Sequence, residues 1–152
     1  MNLAPMDTTV VRYPGVDTMD RGYSALVMEE NDILREKIAG LISRRPNVGL
    51  VAQISSRKRI KNAVDALKPD IIFADVAFAR ANEQIFNEIR LTSGGVRIVL
   101  YTSENGKEYQ DQARRLGACM LTDVLRIQET IDDLFREPRT LLEGILTSGG
   151  IQ

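Results

Sequence analysis

An α/β domain with a doubly wound, five-stranded parallel sheet is the fold class the sequence predicts, on three observations. Short apolar runs alternate with segments whose apolar residues recur at helical spacing. The alternation repeats five times between residues 23 and 136. Turn and breaker residues, among them Pro46, Pro69, Gly94, Gly95 and Gly117, fall between these segments. Strands linked through helices run parallel, need right-handed crossovers and bury both faces of the sheet.

The elements follow in order. Ala25, Leu26, Val27 and Met28 form a first apolar strand that stops at Glu29, Glu30, Asn31 and Asp32. Leu34, Ile38, Leu41 and Ile42 mark a first helix, ending near Arg44, Arg45 and Pro46. Val48–Ile54 is a β-branched-rich second strand. Ser56 is a candidate cap for a second helix with the stripe Ile60, Val64 and Leu67. Ile71, Ile72, Phe73 and Ala74 lead to Asp75, and Ile85, Phe86 and Ile89 mark the third helix. Residues 96–101 form a fourth strand that ends at Thr102, and Tyr109, Ala113 and Leu116 a fourth helix stopped by Gly117. Cys119, Met120 and Leu121 give a short fifth strand, followed by a helix with Ile127, Ile131 and Leu134.

On either side of this core, residues 1–22 read as an irregular arm, punctuated by Pro5, Pro14, Gly15 and Gly22. Residues 137–152 read as a helical tail or linker, in which Leu141, Leu142, Ile145 and Leu146 form an apolar stripe. The expected organisation is therefore an arm over 1–22, a domain over 23–136 and a tail over 137–152.

Composition excludes more chemistry than it admits. The 152 residues carry a net charge of −1, which gives no global field toward nucleic acid or anionic lipid. There is no histidine, which removes histidine-based triads, most zinc sites and the usual neutral-pH proton shuttle. The single cysteine, Cys119, excludes an internal disulfide and fits a reducing compartment. No apolar run is long enough to span a bilayer and no signal-peptide core precedes residue 20, so the expected location is cytoplasmic.

In doubly wound sheets the site lies beyond the carboxyl ends of the strands. Glu29, Glu30, Asp75 and Thr102 occupy those ends. Three carboxylates gathered there need a cation or accept a raised proton affinity. Such an oxygen-only set suits Mg2+, beside which an aspartate can act as a nucleophile toward a phosphoryl donor. Thr102 is then placed to hydrogen-bond a phosphoryl oxygen.

These residues, with residues 26–31, 68–75, 98–102 and the Gly117, Ala118 pair in order, resemble the receiver domains of two-component response regulators. The resemblance covers roughly residues 23–136 and implies the flavodoxin-like receiver fold. It further implies Asp75 as phosphoacceptor and Thr102 as switch hydroxyl. Mg2+ would be weakly held by Glu29, Glu30, Asp75 and the Ala77 backbone carbonyl. The implied partners are a histidine kinase or a downstream regulator, and the family's face of fourth helix, fifth strand and fifth helix implies a homodimer.

The departures from the family point to a degenerate variant. Residues 119–124 contain no lysine where the family places its phosphoryl-binding ammonium, and with a one-residue deletion Asp123 stands there. The aromatic residue usual in that strand is replaced by Met120 or Leu121, the acidic pair is Glu-Glu, and residues 76–81 replace the Pro- and Gly-bearing loop after the phosphoacceptor. A charge-assisted hydrogen bond of the missing kind contributes about 1.5–3 kcal/mol. Arg80 and Arg97 are the candidate substitutes. The expected function is thus regulation of a protein partner without obligatory phosphorylation, with phosphorylation of Asp75 as the alternative.

Simpler roles stand beside these. Asp75 can cap the segment that follows it, residues 29–32 can be a helix N-terminus, and Thr102 with Ser103 can be the N-cap of the fourth helix. The basic residues Arg57, Lys58, Arg59 and Lys61 read as a solvated face, with no aromatic interleaving and no motif for nucleic acid.

Overall fold

The computed structural model describes residues 8–12, 22–104 and 107–136, which form one six-stranded sheet of order β1-β3-β2-β4-β5-β6. The strands are β1 (Thr8–Arg12), β2 (Tyr23–Met28), β3 (Val48–Ile54), β4 (Ile71–Asp75), β5 (Arg97–Thr102) and β6 (Met120–Asp123). The helices are α1 (Asp32–Ser43), α2 (Ile60–Leu67), α3 (Val76–Ala81), α4 (Glu83–Thr92), α5 (Lys107–Arg115) and α6 (Ile127–Leu134). From β2 to β6 every pairing is parallel, so the five-stranded doubly wound core is present as expected.

Strand alternation builds two cores. Leu26, Met28, Ala52, Ile54, Ile72, Ala74, Ile98 and Leu100 pack with α2, α3, α4 and α5. Their neighbours Ala25, Val27, Val51, Ile71, Phe73, Val99 and Tyr101 pack with α1 and α6 on the other face. Both faces being covered accounts for continuous apolar runs in place of a polar-apolar alternation.

One expectation needs correction, and one helix was not foreseen. Residues 1–22 were expected to be irregular throughout, but Thr8–Arg12 pairs antiparallel with β3, from Thr8 opposite Ile54 to Arg12 opposite Leu50. A five-residue run without internal period gives little signal, whereas the open β3 edge supplies the backbone partners that make it a strand. The segment after Asp75 is also a helix in its own right. Val76, Phe78 and Ala79 of α3 are buried, and Asn82 Nδ2 donates to the Phe78 carbonyl at 2.8 Å where α3 gives way to α4. The apolar stripe Leu141, Leu142, Ile145 and Leu146 lies outside the described residues.

The end of α6 is tied to the amino edge of the sheet. The Phe135 carbonyl accepts from Asn47 Nδ2 at 2.7 Å, and Arg45 Nη1 pairs with Asp132 at 3.1 Å. Among the described residues no helix is long and apolar enough to cross a membrane.

Candidate functional site

At the carboxyl edge of the sheet the backbone changes from strand to helix within one or two residues. The N–H groups that open each helix lack an internal partner, so a polar residue at the strand end is drawn to them. Asn31 Oδ1 accepts from Leu34 N at 2.9 Å and starts α1. Ser56 Oγ accepts from Lys58 N at 3.2 Å, and Thr102 Oγ1 from Glu104 N at 3.1 Å.

Asp75 is engaged in the same way. Its Oδ1 accepts from Ala77 N at 2.7 Å and from Phe78 N at 3.4 Å, which makes it the N-cap of α3. Burial, the largest influence, raises its carboxyl above the usual aspartate value; the two backbone N–H groups oppose this and the Glu29 charge adds to it. Arg97 begins β5, at the opposite end of that strand from the residue paired with Asp75, and the Arg80 charge acts on Tyr109.

Glu29 and Glu30 take different paths. Glu29 is 8% exposed, with Oε1 accepting from the Tyr101 hydroxyl at 2.6 Å and Oε2 from Asn31 N at 2.9 Å. Its carbonyl accepts from Arg35 Nη1 at 2.9 Å. Tyr101 is fully buried, and its phenol is pushed up by burial and by the Glu29 bond and charge. Glu30 is exposed. Glu29 and Asp75 are thus close enough to act on each other electrostatically, while Glu30 stands apart in the solvent.

In the last strand Asp123 lies opposite Thr102 in register, so the strand end beside Thr102 holds a carboxylate. Asp123 Oδ1 accepts from Leu125 N at 2.8 Å and caps the turn Val124–Arg126. Here too the side chain closes a local turn.

Mg2+ at this donor set is what the resemblance implies. Among the described residues no group of three or more carboxylate, cysteine or histidine side chains is gathered as a metal site. Both oxygens of Glu29 already receive a proton donor. Ala77 is a residue of α3, and helix carbonyls point toward the helix C-terminus, away from the end that Asp75 caps. With both Glu29 oxygens so engaged, a cation that demands octahedral oxygen ligands does not fit this arrangement.

Tyr101 escaped the sequence reading. Its signal was a tyrosine at the end of a buried strand, since a buried phenol needs a hydrogen-bond partner. The Asp70 carboxylate was also missed: its Oδ2 accepts from Ser24 N at 2.9 Å and from Ser24 Oγ at 3.2 Å, which joins β2 to the entry of β4.

No family model matches the sequence. The chain is 25% identical over 103 residues to a protein-glutamate methylesterase/protein-glutamine glutaminase of Xanthomonas campestris, a match covering 66% of this chain and 29% of the relative. A protein of the same description from Xanthomonas oryzae is 24% identical over 103 residues, with the same coverage. The chain therefore spans under a third of the length of these curated relatives. Among solved structures, a LuxR-family two-component response regulator from an Aurantimonas species superposes with a TM-score of 0.66 at 20% identity, covering 81% of this chain and 86% of that one. The receiver domain of the putative response regulator NarL from Mycobacterium tuberculosis gives 0.61 at 15% identity, covering 76% and 98%. A putative pilus assembly-related protein from Burkholderia pseudomallei gives 0.67 at 18% identity, covering 82% and 92%.

Proposed function

From the response-regulator receiver fold that this chain has, we propose that it is a signalling module, regulating a protein partner without obligatory phosphorylation of Asp75. One observation carries this reading. The Asp75 carboxylate is the N-cap of α3, held by Ala77 N and Phe78 N. A nucleophilic carboxylate would have to release that cap and face a phosphoryl group without the ammonium that stabilises the product. The reading places the protein in the cytoplasm and gives it no catalysis of its own; the activity of the curated relatives is not carried over.

The test is incubation with Mg2+ and acetyl phosphate, followed by intact-mass measurement. No phosphoryl adduct is expected on the wild-type chain. A stoichiometric adduct lost in Asp75→Asn would overturn the reading in favour of a working phosphoacceptor served by a histidine kinase and Mg2+.

The surface proposed for the partner is that of α5, β6 and α6. It presents Lys107, Glu108 and Arg115 on α5 and Glu129 and Asp133 on α6, all exposed, beside Leu125, which is 88% exposed. Opposite charges on adjacent helices suit a two-fold contact in which each patch meets its complement. Exposed ion pairs contribute only about 0–1 kcal/mol each, so apolar contacts must supply most of the affinity. The expected result is a homodimer at micromolar concentration, weakened in a chain ending at Glu137. Sedimentation of both chains checks it, and monomers throughout would remove the dimer.

A further inference from the structure

We infer that the Tyr101 hydroxyl stands in for a divalent cation at Glu29, closing this edge of the sheet in a metal-independent state. The inference rests on the proposed phosphorylation-independent reading and names what holds the site in that condition. Glu29 is buried at the end of β2, near enough to Asp75 for their charges to interact. A buried carboxylate beside another carboxylate needs compensation. A cation is the usual means, and a set of hydrogen-bond donors is the other. Here the donors are present: Tyr101 Oη at 2.6 Å on Oε1 and Asn31 N at 2.9 Å on Oε2.

The location of Tyr101 explains why it can do this. It sits two residues after Val99 on β5 and shares with it the core under α1 and α6. Ala25 and Val27 of β2 belong to the same core, and Glu29 continues their alternation. Strand β4 lies between β2 and β5, so the phenol spans that strand to reach the carboxylate. The hydroxyl lies where its ring is fully buried, so the bond is shielded from water that would compete for it. Removing only that oxygen leaves the ring's packing in place and returns Oε1 to the edge without a donor.

Tyr101→Phe is therefore the variant that separates a donor in the place of a metal from mere core packing. Thermal melts of wild type and Tyr101→Phe are compared with and without millimolar Mg2+, and amide spectra are recorded during Mn2+ titration. The wild-type midpoint is expected to be indifferent to Mg2+, and its amides near Glu29 and Asp75 to stay sharp in Mn2+. Tyr101→Phe is expected to melt lower without metal, to recover part of the loss in Mg2+, and to lose those amide signals in Mn2+. Glu29→Gln in the same background should abolish the gained response. Selective Mn2+ broadening around Glu29 in wild type would overturn the inference, and this needs no variant to fold. A Tyr101→Phe protein with no response to either cation would overturn it as well. Neither outcome bears on whether Asp75 accepts a phosphoryl group, which the acetyl phosphate experiment decides separately.

Discussion

Phe135→Ala is expected to destabilise the chain by about 3–5 kcal/mol, the usual cost of removing a buried aromatic ring. Phe135 lies just beyond α6 and is fully buried. Its ring meets Tyr23 edge-on at a centroid distance of 5.1 Å and Phe73 at 6.3 Å. Such aromatic pairs add about 0.5–1.5 kcal/mol beyond area burial. The ring thus joins the last helix to the start of β2 and the middle of β4 and closes the core beneath α1 and α6. For a chain of this size the loss corresponds to a midpoint lower by about 10 °C. Urea denaturation checks the value, with Leu125→Ala as the exposed control, expected within about 0.5 kcal/mol of wild type. A Phe135→Ala change no larger than the control would show that the domain ends before this residue.

The second large effect is at Asp75, where two substitutions separate cap from charge. Asp75→Ala removes the acceptor for Ala77 N and Phe78 N and is expected to cost about 1–2 kcal/mol, the ordinary range for an N-cap. Asp75→Asn keeps an acceptor oxygen and removes the charge. The folded state raises this carboxyl above its unfolded value, chiefly through burial, so folding favours the protonated form. The stabilisation associated with protonation is complete below the unfolded value and is lost as pH rises through the folded one. The Asn variant, which has no such ionisation, should therefore gain on wild type as pH rises through that window and hold its advantage above it. The expected order at neutral pH is Asn at or above Asp, and Ala lowest. Denaturation at several pH values measures it. An Asn variant as unstable as Ala, at every pH, would mean that the carboxylate's charge and not its geometry holds α3.

The amino-acid sequence carried the five-unit parallel core because each strand is buried on both faces and each helix repeats its apolar contacts at a fixed spacing. Ser56 was legible as a cap for a similar reason: a short polar side chain next to a strand end meets the N–H groups of the following turn, whereas Thr102 closes the turn after β5 and not the helix it was read as capping. The capping role of Asp75 was one of two readings open to it. Local chemistry alone leaves a strand-end aspartate equally suited to a phosphoryl group and to a helix N-terminus.

Three features required the tertiary structure. Thr8–Arg12 becomes a strand only because β3 offers an unpaired edge, and a backbone partner leaves no trace in the partner's sequence. Residues 76–81 form a helix because Val76, Phe78 and Ala79 bury against the sheet, a contact that their number of turns alone does not announce. The bond between Tyr101 and Glu29 joins residues 72 apart, on strands separated by a third. The sequence by itself determined the order of the five core strands and the residues that end them, since both depend on neighbours a few positions away. Which of those end residues meet, and whether they face a ligand or one another, was decided by strand order and register, because those set the distances between residues remote in the chain.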